Sequence, residues 1–134
     1  MKLAPRRPHT SGRGIRLAVG LTLAAGLVSP ALAQGDAASG KKLYQATCVG
    51  CHGDAKTAPT TGPSLAGLIG RKAGTSAGGV ISRANTESRI VWDEKTLDQY
   101  LASPSEKIHG TIMPIGVNNP KDRADLIAYL KTMK

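Results

Sequence analysis

The stretch Cys48-Val49-Gly50-Cys51-His52 holds both cysteines of the 134-residue chain, and a histidine follows the second one directly. Four chemistries use residues of these types. A redox dithiol of the Cys-x-x-Cys kind belongs beside a strand–helix–strand pattern, and no segment here alternates apolar and polar residues long enough to suggest a strand. A structural zinc ion needs four ligands; Cys48, Cys51, His52 and His109 would make the number, but the second half of that set lacks paired spacing. A disulfide across two intervening residues leaves His52 without a role. Covalent haem attachment gives all three residues one. At i and i+3 on a helical turn the two sulfurs face the same way. Both then reach the vinyl groups on one side of a porphyrin, and the next residue brings an imidazole under the ring as proximal iron ligand. The pentapeptide predicts one haem c per chain, anchored by Cys48 and Cys51 and ligated by His52.

Upstream of this stretch the sequence reads as an export signal. Lys2, Arg6, Arg7, Arg13 and Arg16 form a positive segment, Leu17–Val28 is a 12-residue run without charge, and Ala31-Leu32-Ala33 fits a small-residue cleavage site. A membrane-spanning helix needs about 20 apolar residues, whereas this run meets Ser29-Pro30. Residues 1–33 are therefore expected to be a cleaved secretory signal peptide, and residues 34–134 a single periplasmic domain. Arg6-Arg7 is followed by Pro-His-Thr, unlike a twin-arginine signal, so export of the unfolded chain is expected.

Five of the 18 Lys and Arg residues lie in that leader, which leaves 13 against 9 acids and a net charge of +4 for the mature part. The remaining cations are scattered among acids rather than gathered in a stripe, which argues against nucleic-acid binding. Residual positive charge predicts mild steering toward acidic partners.

Three segments of the mature part have helical period. Asp36–Thr47 starts on a capping aspartate and puts Ala37, Gly40, Tyr44 and Thr47 on one face. Asp93–Ser103 starts on another, aligns Leu97, Tyr100 and Leu101, and stops before Pro104. Asn119–Met133 opens Asn-Pro, a cap followed by proline at the first helical position, and carries the stripe Leu126, Tyr129, Leu130, Met133. Glycine-rich loops, notably Gly62–Gly79, separate them. The expected fold is all-α: three to five helices and glycine-rich loops wrapped around the haem. With four aromatics and no Phe between residues 34 and 134, the chain is short of core material. A large planar cofactor would supply it.

The sequence by itself leaves three candidates for a second axial ligand. Met133 lies on an apolar stripe, where packing accounts for it. Met113 sits in HGTIMPIG, a stretch without helical period, and His109 lies in the same loop.

From Gly35 onward the chain resembles the class I cytochromes c, of the mitochondrial cytochrome c and bacterial cytochrome c2 type. The resemblance rests on CVGCH, GPSLAGLIGRKAG (Gly62–Gly74), RAN (Arg83–Asn85), IVW (Ile90–Trp92), LDQYLASP (Leu97–Pro104), GTIM (Gly110–Met113) and DRADLIAYLK (Asp122–Lys131). It implies Met113 as the axial sulfur opposite His52, and the Pro63 carbonyl as the group that orients the imidazole. It further implies Asn85, Tyr100 and Thr111 as a polar network near the methionine, Arg71 and Trp92 at a buried propionate, and Gly40 where the first helix crosses the last. Ile81, His109 and Pro114 depart from the family pattern, and the usual lysine ring is thinned at Ser105, Glu106 and Ile112.

The implied function is that of a soluble, non-enzymatic electron carrier, working as a monomer. Its partners would be redox proteins: a quinol:cytochrome c reductase-type donor, and a terminal oxidase, reaction centre or dehydrogenase. It would meet membranes only through them. Two other roles fit the same motif, a haem-based ligand binder or peroxidase with a labile methionine, and a dedicated subunit of one dehydrogenase or oxidase.

Overall fold

Asp36 folds back on the chain it caps, its carboxylate accepting from Ser39 N, and the first helix, α1 (Ala37–Thr47), follows. The computed structural model describes residues 34–54 and 57–134; the expected leader, residues 1–33, lies outside them. The chain continues through α2 (Val49–His52), α3 (Arg83–Glu87), α4 (Glu94–Ala102), α5 (Pro104–Lys107) and α6 (Pro120–Leu130). The described residues contain no strand, only one antiparallel bridge between Lys72 and Val91. The architecture is all-α, as expected.

The three longer helices are those legible in the sequence, each with its anticipated cap. Asp93 and Thr96 form a reciprocal capping box on α4, and Asn119 caps α6 ahead of Pro120. Helix α6 ends at Leu130, short of the expected Met133, and the chain turns there so that the Met133 carbonyl accepts from Gly67 N at 2.8 Å. The other three helices have only four or five residues, too few to show a period. Ser82 starts α3 by accepting from Asn85 N, and Pro104, which ends α4, opens α5 at its first position.

The core is built on the crossing of α1 and α6. A Cβ at Gly40 would lie 1.9 Å from the Asp125 carbonyl oxygen, so only glycine permits this approach. Gly35 meets the same helix one residue earlier, where a Cβ would be 2.0 Å from the Ala124 oxygen. Beside the crossing Tyr44 packs on Tyr129 with ring centroids 5.3 Å apart, and Tyr44 donates to the Gly53 carbonyl. Leu126, Ile127 and Leu130 of α6 and Leu97, Tyr100 and Leu101 of α4 complete the buried cluster. The Asp125 carboxylate, buried at 5 % exposure, accepts from Asp36 N at 2.6 Å and from the Lys121 ammonium. Lys121 and Asp36 together hold its pKa below the usual carboxylate range. Arg123 joins α6 to α4 through Asp98 at 2.6 Å and donates to the Val117 and Asn118 carbonyls.

Candidate functional site

Between the α1/α2 corner, the 61–82 loops, α4 and the segment after α5, the fold leaves a mainly apolar cleft of about 1180 Å³, open mouth included. All ten residues singled out in the sequence line it: Cys48, Cys51, His52, Pro63, Arg71, Asn85, Trp92, Tyr100, Thr111 and Met113. Cys48 and Met113, 65 positions apart, both line it.

On one wall, α2 is a single turn that places Cys48, Cys51 and His52 along the cleft. The two cysteines are not bonded to each other. His52 Nδ1 lies 2.7 Å from the Pro63 carbonyl. A carbonyl only accepts, so Nδ1 is the donor, and in the neutral ring that leaves the lone pair on Nε2. Gly62 backs the imidazole: a Cβ there would stand 2.6 Å from His52 Cε1. The Cys51 carbonyl in turn accepts from Thr60, Thr61 and Gly62 N, tying this loop to the helix turn it covers. Burial pushes the Cys48 thiol pKa up, which is the reverse of what an activated dithiol requires. Among the described residues no three His, Cys, Asp or Glu side chains gather to hold a metal ion, so the zinc set of the motif is not assembled.

At the inner end, Arg71 spans two carbonyls, Nη1 to Ala66 and Nη2 to Ser64, each at 2.8 Å. No carboxylate pairs with it among the described residues, and burial alone lowers its pKa. Buried Trp92 packs at 5.0 Å from Tyr100 with the rings tilted by 57°, and its indole N–H donates to no acceptor among the described residues. A guanidinium without a counter-ion and an indole donor without an acceptor, both on one cleft, fit an anionic group such as a propionate. Ile81 lines the cleft as well and offers nothing to hydrogen-bond.

Also in the lining, a relay runs from Tyr100 OH to Thr111 Oγ1 at 2.7 Å and from Thr111 Oγ1 to Asn85 Oδ1 at 2.9 Å. Because the threonine proton goes to Asn85, the tyrosine donates to the threonine. Ser82 Oγ also donates to Asn85 Oδ1 at 2.7 Å, which fixes the amide and leaves its N–H groups free for the cleft. Met113 follows Thr111 and lines the cleft, whereas exposed His109 opens onto a separate groove beside α3 and Met133 packs against the core outside the cleft lining. Of the three possible second ligands, Met113 alone reaches the cleft.

Some residues of the site escaped sequence reading. Leu65, Leu68, Leu97, Leu101 and Leu130 supply the apolar walls, and the Ser64 and Ala66 carbonyls hold Arg71. Leu97, Leu101 and Leu130 were visible only as helix stripes, which mark burial without saying against what. The carbonyls carry no side-chain signal at all.

The sequence profile of the cytochrome c family matches residues 37–134. The chain belongs to the cytochrome c family. A cytochrome c of Euglena viridis is 43 % identical over 101 residues, spanning 75 % of this chain and 99 % of the relative. One of Gossypium barbadense is 46 % identical over 99 residues, covering 72 % and 89 % respectively. Among solved structures, cytochrome cH from Methylobacterium extorquens superposes with a TM-score of 0.66 at 44 % identity, over 73 % of this chain and 99 % of that one. The family cofactor is haem c, bound covalently, and the cysteine pair and the apolar cleft fit it. As a cytochrome c the chain is an electron carrier rather than an enzyme, and its partners are redox proteins. No helix of the described residues is long and apolar enough to cross a membrane.

Proposed function

We propose that this cytochrome c is an exported, monomeric one-electron carrier, released in the periplasm by cleavage after Ala33. In this reading Cys48 and Cys51 would hold the haem through thioethers, and His52 and Met113 would ligate its iron. Bound haem supplies a single-electron couple, Fe(III)/Fe(II). The rest is the work of the chain. The Pro63 carbonyl keeps the proton on Nδ1, so Nε2 stays free to ligate and the ring cannot swing. The Tyr100–Thr111–Asn85 relay anchors the loop that carries Met113, so the thioether is held in place rather than sampled. Arg71 and Trp92 take an anionic substituent. Leucines from α4, α6 and the 65–68 loop keep water out, which disfavours the extra charge of the oxidised state. Methionine and histidine together as ligands would raise the potential further. In this reading the donor is a quinol:cytochrome c reductase-type protein and the acceptor a terminal oxidase, reaction centre or dehydrogenase.

The observation that carries this reading is the joint placement of His52 and Met113 on one cleft, with His109 and Met133 outside it. It is tested by visible spectra of the purified protein and its Met113→Ala variant. The parent is expected to be low-spin with a weak far-red sulfur-to-iron band when oxidised, and the variant to lose that band. Persistence of the band in Met113→Ala would move the second ligand to another residue, and rapid carbon monoxide binding by the reduced parent would remove the carrier role.

A further inference from the structure

Cleavage after Ala33 would leave Gln34 at the N-terminus of the mature chain. Gln34 is exposed, and its side-chain amide makes no hydrogen bond with a described residue. The two residues that follow are fixed. A Cβ on Gly35 would lie 2.0 Å from the Ala124 carbonyl oxygen of α6, and Asp36 N donates to the buried Asp125 carboxylate at 2.6 Å. Asp36 also caps α1 by accepting from Ser39 N. The chain is thus docked on α6 from its second mature residue onward, and Gln34 stands outside those contacts. Its own side-chain amide is the electrophile nearest to the α-amine that processing would release.

Resting on export with cleavage after Ala33, we propose that Gln34 is a modification site, closed in the mature protein to the five-membered lactam pyroglutamate. The α-amine attacks the side-chain amide carbon. A bond forms between the amine nitrogen and that carbon, the bond from the carbon to the amide nitrogen breaks, and ammonia leaves with a proton taken from the amine. Nothing is oxidised or reduced, and no co-reactant is consumed. Nucleophile and carbonyl belong to one residue, so closure is intramolecular and favoured by proximity. An α-amine has a pKa of about 7.7–8.0, so roughly a tenth of such termini carry the reactive neutral amine at pH 7. Before cleavage the same nitrogen is a peptide amide and cannot attack, so the modification follows processing. The lactam removes the amine by which an aminopeptidase holds its substrate. Trimming would be costly here: loss of two residues would take Gly35 off α6 and turn Asp36 N, an amide donor to Asp125, into the chain terminus. A closed Gln34 therefore protects the start of the α1–α6 crossing.

The test uses the full chain expressed in an exporting host and recovered as the haem-loaded protein, and it reads the intact mass and the N-terminal peptide. The protein should be lighter than residues 34–134 with their cofactor by one ammonia, and the peptide should carry that loss on Gln34. The isolated peptide should resist an aminopeptidase until a pyroglutamyl peptidase has removed the ring. Gln34→Ser keeps Ala-Leu-Ala ahead of the cut and is the control: its terminal peptide should show no ammonia loss and be digested directly. A parent that starts at Gln34 and keeps its full mass after prolonged standing at about pH 8, where half or more of the amine is neutral, overturns the modification and leaves export and the cleavage site standing. A terminus other than residue 34 overturns the cleavage site and the modification together. An ammonia loss that persists in Gln34→Ser belongs to another residue and overturns the assignment to Gln34.

Discussion

Replacing Gly40 by alanine sets two known effects against each other, and the structure decides their sign. On an open helix face, Gly→Ala stabilises by about 1 kcal/mol, because glycine is the poorer helix former. At Gly40 the added Cβ would lie 1.9 Å from the Asp125 carbonyl oxygen and 2.5 Å from its carbon, both backbone atoms of α6. The helices must part by more than about 1 Å, in a core packed at crystal-like density. Overpacking of this kind costs about 1–3 kcal/mol. It would also stretch the Asp36 N to Asp125 bond, 2.6 Å long, and the Tyr44–Tyr129 contact, since both bridge the same two helices. A net loss of about 2 kcal/mol is expected, or roughly 10 °C in Tm for a domain near 100 residues. Gly50 is the control: it is helical and exposed, and a Cβ there meets nothing within 4 Å. Gly50→Ala should therefore be neutral or raise Tm. The assay is thermal unfolding of both haem-loaded variants, followed by far-ultraviolet circular dichroism. If Gly40→Ala unfolds at or above the parent temperature, the close crossing of α1 and α6 is wrong.

Three further outcomes follow from particular geometries. Gly62→Ala would press on the His52 imidazole, so a shifted reduction potential and a weakened His52–Pro63 bond are expected, the latter read from the imidazole N–H resonance. Arg89 is the one described non-glycine residue with positive φ, at 57°, and it is exposed; Arg89→Gly should stabilise by about 1 kcal/mol in denaturant unfolding. Asp125, Asp36 and Asp93 all have carboxyl pKa values lowered in the fold, by hydrogen bonds from Lys121 and Asp36 for the first and from Ser39 and Thr96 for the others. Each lowered value means stability that is present above the ordinary carboxylate pKa and lost as pH falls through the folded one. Tm should hold near neutrality and drop below about pH 4, with a shallower drop and a lower neutral Tm in Asp125→Asn.

Much of the site could be read from local chemistry. Cys48, Cys51 and His52 declare themselves because three functions are compressed into five residues, and such spacing leaves few other uses. The long helices are equally local, since Asp36, Asp93 and Asn119-Pro120 satisfy helix starts by contacts within three residues. The helices α2, α3 and α5 are one turn or slightly more, too short for periodicity to register.

Sequence alone pointed to Cys48, Cys51 and His52 as the proposed haem anchor and ligand and determined the three long helices, because each is set by neighbours along the chain. The local pattern left Met113, His109 and Met133 open and the family resemblance implied Met113; the tertiary structure is where Met113 alone of the three lines the cleft. Tertiary structure also decided the role of Asp125, an ordinary i,i+4 partner of Lys121 in sequence that turns out to be a buried acceptor for the first helix, and the apolar walls of the cleft. Those outcomes depend on residues 26 to 89 positions apart coming within hydrogen-bond reach, as Thr111 and Asn85 or Asp36 and Asp125 do. Long-range approach of that kind follows from helix crossing and packing, which no local pattern encodes.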